Sequence, residues 1–163
     1  IRQPPATSGL LPKPTKRTDM QSTDLKFLET AHAFAKIWSK DPSTKVAAVA
    51  VGDKRNQVAF GFNGFPPGID DTPARLADKL TKLSLTLHAE VNALANASFD
   101  VRTLYVTHPP CANCALHILS RRTVKRVVYR VSDDLDMVRW GPSIESARAL
   151  LAEGGVELVG VSL

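Results

Sequence analysis

Two short stretches constrain this chain more than anything else in it: His88-Ala89-Glu90 and Pro109-Pro110-Cys111-Ala112-Asn113-Cys114. The two cysteines, the only ones in the sequence, stand three residues apart, so on a helix both thiols share one face. The prolines before them suit a helix start, and the positive end of a helix favours thiolates. One imidazole and two thiolates supply three of the four ligands that tetrahedral zinc requires. Three protein ligands with an open fourth position is the catalytic form of such a site, because the metal acidifies a water there. His88, Cys111 and Cys114 are therefore the candidate zinc ligands. Glu90 lies two residues from His88, and within a regular helix those positions point to nearly opposite sides. Both reach one cleft only where a helix begins. A fold that suits this chain must bring two helix starts together. A C-x-x-C alone would leave a structural zinc site equally open; the H-x-E upstream and the proline before Cys111 favour the catalytic one.

The rest of the composition sets bounds. At 163 residues, 44% hydrophobic and 23% charged, the chain has the size and balance of one soluble globular domain. With both cysteines in the C-x-x-C there is no disulfide framework, which favours a reducing, cytoplasmic setting. No apolar run approaches membrane-spanning length. The net charge is +5, but Arg2, Lys13, Lys16 and Arg17 against Asp19 place most of it in residues 1–20. That stretch, with Pro4, Pro5, Pro12 and Pro14, reads as an extended, flexible arm. Residues 21–163 read as a single domain whose small residual charge argues against a nucleic-acid partner.

Apolar periodicity predicts a helix over residues 23–39, ended by Asp41-Pro42. His32 on its stripe reads as a core or interface residue. Val46–Val51 and Gln57–Phe62 read as a hairpin around Asp53-Lys54-Arg55-Asn56. Asn63–Gly68 is a shaped loop, and residues 70–78 suit one short helix. The helix of His88 and Glu90 follows, reaching about Ala97. Strands are expected at 102–107, 124–131 and 156–161, and a helix at 111–120. Residues 132–142, with Arg139 and Trp140, read as a connection. Ser143 caps a helix to Glu153, stopped by Gly154-Gly155. Alternating strands and helices after residue 80 imply parallel crossovers. The expected architecture is α/β: a three-layer α/β/α sandwich with one mixed five-stranded sheet.

With the order of these elements, the H-x-E and P-C-x-x-C pair resembles the zinc-dependent cytidine deaminase superfamily. Asp41-Pro42-Ser43-Thr44-Lys45-Val46, Gly61-Phe62-Asn63-Gly64-Phe65-Pro66-Pro67-Gly68 and His88-Ala89-Glu90-Val91-Asn92-Ala93 resemble segments of its deoxycytidylate (dCMP) deaminases, in particular the compact bacterial and phage type, over about residues 23–163. The resemblance implies hydrolytic deamination of dCMP to dUMP, which supplies dUMP for thymidylate synthesis. It implies one catalytic zinc per chain on His88, Cys111 and Cys114, with Glu90 as proton shuttle. It puts Asn63 on the sugar 3′-hydroxyl, the backbone around Ala89 on the pyrimidine carbonyl, and that around Thr107 to Pro109 on the exocyclic amine. Ser43, Thr44 and Lys45 are candidates for the phosphate, and Arg139 and Trp140 for closing the pocket. The resemblance further implies a homo-oligomer, hexamer or dimer, with dCTP and dTTP, carried with Mg2+, as effectors. The sequence departs from the family pattern at Ala47, usually Gly, and at Phe62, usually Tyr. Residues 69–87 hold no Cys or His for a second zinc. Two other functions share the zinc set: a deaminase acting on a modified cytosine nucleotide or on a base in nucleic acid, of the tRNA-adenosine type, and a catalytically silent zinc protein. Intact Glu90 opposes the last.

Overall fold

Ala47–Val51 (β1) is apolar and buried at every position, as a strand covered on both faces must be. The structure, a computed structural model, describes residues 22–131 and 134–162, for 134–140 by backbone alone. In it β1 joins a five-stranded sheet of order β2-β1-β3-β4-β5, with β2 at Val58–Phe62, β3 at Thr103–Val106, β4 at Arg126–Arg130 and β5 at Glu157–Val161. β1 is antiparallel to β2 and β3, whereas β3, β4 and β5 run parallel. The sheet is mixed, as expected.

Side-chain alternation along the strands builds two cores. Val49, Val51, Tyr105, Val128 and Val161 face one way and meet Leu28 and Ala31 of α1 (Ser22–Trp38). Ala48, Ala50, Leu104, Val106 and Val127 face the other way. They meet α4 (Ala89–Asn96), α5 (Ala112–Ser120) and α6 (Asp134–Glu153). This is the three-layer α/β/α arrangement. Asp24, in the first turn of α1, is 2% exposed. The Arg126 guanidinium donates to its two oxygens at 2.8 and 3.0 Å, and the Tyr105 hydroxyl donates at 2.8 Å.

The structure departs from the sequence expectation at two places. Between Gly68 and His88 there are two helices, α2 (Pro73–Ala77) and α3 (Lys79–Leu85), where one was expected. Each has its own cap: the Thr72 hydroxyl accepts from the Arg75 amide, and the Asp78 carboxylate from the Thr81 amide. A second cap at Asp78, midway between Gly68 and His88, splits the segment. The second departure corrects the connection over 132–142: the chain is helical from Asp134, with Pro142 inside α6. A proline forfeits one backbone donor and crowds the preceding turn, but here the helix continues through it. Ser143 therefore caps no helix of its own; its hydroxyl accepts the Ala112 amide at 3.0 Å and serves α5 instead.

The layer holding α4 is built from small residues: Ala48, Ala50 and Ala59 in the strands, Ala89 and Ala93 in the helix. Gly61 of β2 completes it. A Cβ there would overlap the Ala93 amide and the Ala89 carbonyl, and would sit 2.8 Å from Ala93 Cα. Those atoms are backbone and cannot turn aside. Gly61→Ala is therefore expected to lower the unfolding free energy by at least about 1–3 kcal/mol, the usual range for overpacking. Thermal unfolding checks this, and an unchanged Tm would show that α4 is free to shift.

Candidate active site

Two helix starts converge at the zinc motif. His88 occupies the N-cap position of α4, with extended backbone angles, and Glu90 is the second residue of the helix, so the pair straddles the helix start and is not held to opposite sides as within a regular helix. Cys111 is the N-cap of α5, and its sulfur accepts from the Cys114 amide at 3.5 Å. The His88 Nδ1 atom lies 3.2 Å from Cys114 Sγ and 3.5 Å from Cys111 Sγ, and the three donor atoms lie within 4.8 Å of one another. For a tetrahedral ion bonded at about 2.0–2.1 Å to nitrogen and 2.3 Å to sulfur, the N···S separation is about 3.5 Å. The donor set therefore fits zinc, with Nδ1 as the imidazole ligand.

The three ligand side chains perturb one another's protonation. The Cys111 thiol is lowered to about 4, first by the hydrogen bond from the Cys114 thiol and then by His88, against its burial. Cys114 is pushed up by the same sharing and by burial. His88 is raised by its contact with Cys111. Taking a metal ion requires both sulfurs as thiolates and the imidazole neutral.

Glu90 is 5% exposed and is not among the clustered metal-ligand residues. Burial pushes its carboxyl above the usual range, against its own backbone amide and the His88 charge. A raised carboxyl beside a metal site can hold a proton and release it near neutral pH.

These groups open into a cavity of about 660 Å³, lined also by Asp41, Ser43, Thr44, Asn63, Lys82 and Pro109. That size is typical of small-molecule sites. Asn63, at the end of β2, is 7% exposed. Its Oδ1 accepts from the Ser39 hydroxyl at 2.6 Å and the Val46 amide at 2.9 Å, and its Nδ2 donates to the Thr44 carbonyl at 2.8 Å. The side chain pins the 44–46 segment to the rim, and Nδ2 carries a second proton besides the one given to Thr44. Ala89 is fully buried. The first intrahelical donor of α4 is the Asn92 amide, to the His88 carbonyl at 3.0 Å, so the Ala89 and Glu90 amides belong to the helix end that lacks internal partners.

Other expected contacts are distributed differently. Thr107 is 3% exposed, and its hydroxyl accepts the Ala47 amide at 3.1 Å; Pro109 lines the cavity and Thr107 does not. Lys45 is also absent from the lining. Its ammonium donates to the Ser39 carbonyl at 2.6 Å. Arg139 and Trp140 lie outside the residues whose side chains are described, as residues 1–20 lie outside the described residues altogether. Two roles were missed in the sequence. Lys82, four residues beyond the short helix expected over 70–78, lines the cavity. Asn92 and Asn96 donate to the Phe62 and Phe60 carbonyls at 3.0 and 2.9 Å, which clamps α4 to β2. Their spacing of four was the available signal, since it puts both on one helix side.

Residues 21–131 match the model of the cytidine and deoxycytidylate deaminase zinc-binding region. An uncharacterized deaminase from the luxG 3′ region of Aliivibrio fischeri is 38% identical over 128 residues, covering 77% of this chain and 85% of that protein. Human deoxycytidylate deaminase is 38% identical over 99 residues, 56% of this chain and 55% of its own length, so the chain spans about half of that relative. Among solved structures, the dCMP deaminase of cyanophage S-TIM5, in complex with dCMP and dUMP, superposes with a TM-score of 0.64 at 26% identity, covering 87% of this chain and 99% of that one.

Proposed function

From the premise that this chain belongs to the cytidine and deoxycytidylate deaminase family, whose zinc-binding region it matches over residues 21–131, we propose that it hydrolyses dCMP to dUMP and ammonia. The observation that carries this reading is one cavity that joins His88, Cys111 and Glu90 to a polar rim at Asp41, Ser43, Asn63 and Lys82. Its volume of about 660 Å³ exceeds what a bare base needs and suits a mononucleotide.

His88, Cys111 and Cys114 would hold zinc, which would supply an acidified water as nucleophile near neutral pH. Glu90 is the group that holds a proton for ring nitrogen N3 and then for the departing amine. Pro109 and His108, which line the cavity, would flank the exocyclic amine, the amides at the start of α4 would meet the pyrimidine carbonyl, and an Asn63 amide proton would meet the sugar. Burial of Glu90 keeps bulk water from competing for that proton.

The reading extends to a homo-oligomer, hexamer or dimer, for which Ile37 and Trp38, 72% and 54% exposed at the end of α1, offer apolar surface. It extends to dCTP and dTTP, with Mg2+, as effectors, and to a place in the cytoplasm; no described helix is long and apolar enough to cross a membrane.

The deciding assay is ammonia release from dCMP, CMP, deoxycytidine, dCTP, 5-substituted dCMP and a cytosine-containing oligonucleotide in one buffer. The expected result is dCMP well ahead of deoxycytidine and CMP. Turnover of the oligonucleotide alone would move the chain to the editing deaminases, and preference for a substituted cytosine would replace the base.

A further inference from the structure

The sequence assigned the anion-binding cation to Lys45, but the structure offers a different lysine from a different element. Lys82 projects from α3, its side chain 13% exposed, and lines the same cavity as His88, Glu90 and Cys111. Its ammonium donates to Asp41 Oδ1 at 3.1 Å and to Ser43 Oγ at 2.8 Å. An ammonium has three donors, so these two bonds fix its position and leave one hydrogen to give. Lys79, three residues earlier on the same helix face, lines the cavity as well.

Asp41 looks at first like an obstacle to an anion, since it brings a second negative charge to the rim. Its Oδ1 is already the acceptor for the Ser43 amide at 2.8 Å, the Thr44 amide at 3.0 Å and the Ser43 hydroxyl at 2.9 Å. Burial pushes the Asp41 carboxyl up, but these bonds and Lys82 hold it below the usual range. The carboxylate is thus occupied with the 43–44 turn and with Lys82, and acts to aim the ammonium. α3 buries none of its residues, nor does α2. The Lys82–Asp41 contact therefore ties α3 to the 41–44 segment, and Lys82, Asp41, Ser43 and Thr44 all line the cavity, so the ammonium is held at its wall.

We propose that Lys82, aimed by Asp41, is the residue that reads the 5′-phosphate of the substrate and so sets the preference for a nucleotide over its nucleoside. This rests on the deoxycytidylate reading above. Asp41 is a positioning residue here, and Lys45 has no part in the contact.

The test is kcat/KM on dCMP and on deoxycytidine for the unaltered protein, Lys82→Met, Lys82→Arg and the double variant Lys82→Met/Asp41→Asn, in which no buried carboxylate is left unpaired if the single variant misfolds. In Lys82→Met, or in the double variant, the dCMP-to-deoxycytidine ratio is expected to fall roughly ten- to a hundredfold, the worth of one charge-assisted hydrogen bond. The fall should lie mainly in KM, and inorganic phosphate should lose its competition with dCMP. Lys82→Arg, which keeps the charge, should retain most of the ratio. An unchanged ratio overturns the assignment, as does an equal loss on both substrates, which marks a structural lysine. If the unaltered protein itself shows no preference for dCMP, the deoxycytidylate reading fails first. A preserved preference that survives Lys82→Met defeats Lys82 alone.

Discussion

Glu90→Gln is expected to keep fold and metal and to lose turnover by roughly a hundred- to ten-thousand-fold, the range for removing a general acid–base group. Glutamine has the shape of glutamate, so the start of α4 and the packing of Ala89 and Ala93 should persist. The metal trio does not include Glu90, so zinc content should stay at about one equivalent per chain, as three protein ligands imply. What disappears is the site that accepts and returns a proton. Its burial, 5% exposed, means that bulk water cannot easily substitute. The measurement is kcat on dCMP beside metal analysis of the same preparation. Loss of zinc together with activity would make Glu90 a structural support, and near-normal turnover would put the proton transfer on another group.

How far the sequence alone could go is clear from particular residues. His88, Glu90, Cys111 and Cys114 were legible because their chemistry is local: two motifs, each at a helix start, with spacing that admits few arrangements. The α/β/α layering was legible as well, since β1 is buried throughout and the later strands alternate with helices. The substrate rim was not. Ser43, Thr44 and Lys45 are adjacent in sequence and look like one anion site, yet only Ser43 and Thr44 line the cavity. Lys45 is drawn off by the Ser39 carbonyl. The cation that does face the cavity comes from α3 and lies 41 residues from Asp41 in sequence, so no local pattern joins it to the rim. Ser143 shows a related limit. Its hydroxyl does cap a helix, but the helix is α5, 31 residues away in sequence.

The pairing of Asp24 with Arg126 gives a large stability effect. Asp24 and Arg126 are 102 residues apart in sequence, and nothing in their local patterns pairs them. Arg126→Met is expected to destabilise the fold by about 3–5 kcal/mol, the cost of leaving a buried charge without its partner. For a domain of this size that is a fall in Tm of roughly 6–20 °C. Arg126 itself is partly open to water, its side chain 28% exposed, so solvent softens the loss on its own side, but Asp24 at 2% has no such relief. After the substitution Asp24 would keep only the Tyr105 hydroxyl, 2.8 Å away. Replacing both partners, Asp24→Leu with Arg126→Met, should recover most of the stability, because a buried pair is costly to break and cheap to replace as a whole. The network lies on the α1 face of the sheet, with Tyr105 in the core that contains Leu28, whereas α4 and α5 occupy the opposite face. The folded fraction of either variant should therefore deaminate at an unchanged kcat. Calorimetric unfolding of the two single and the double variants measures the coupling. A single variant that loses less than about 1 kcal/mol would show that Asp24 is satisfied without Arg126.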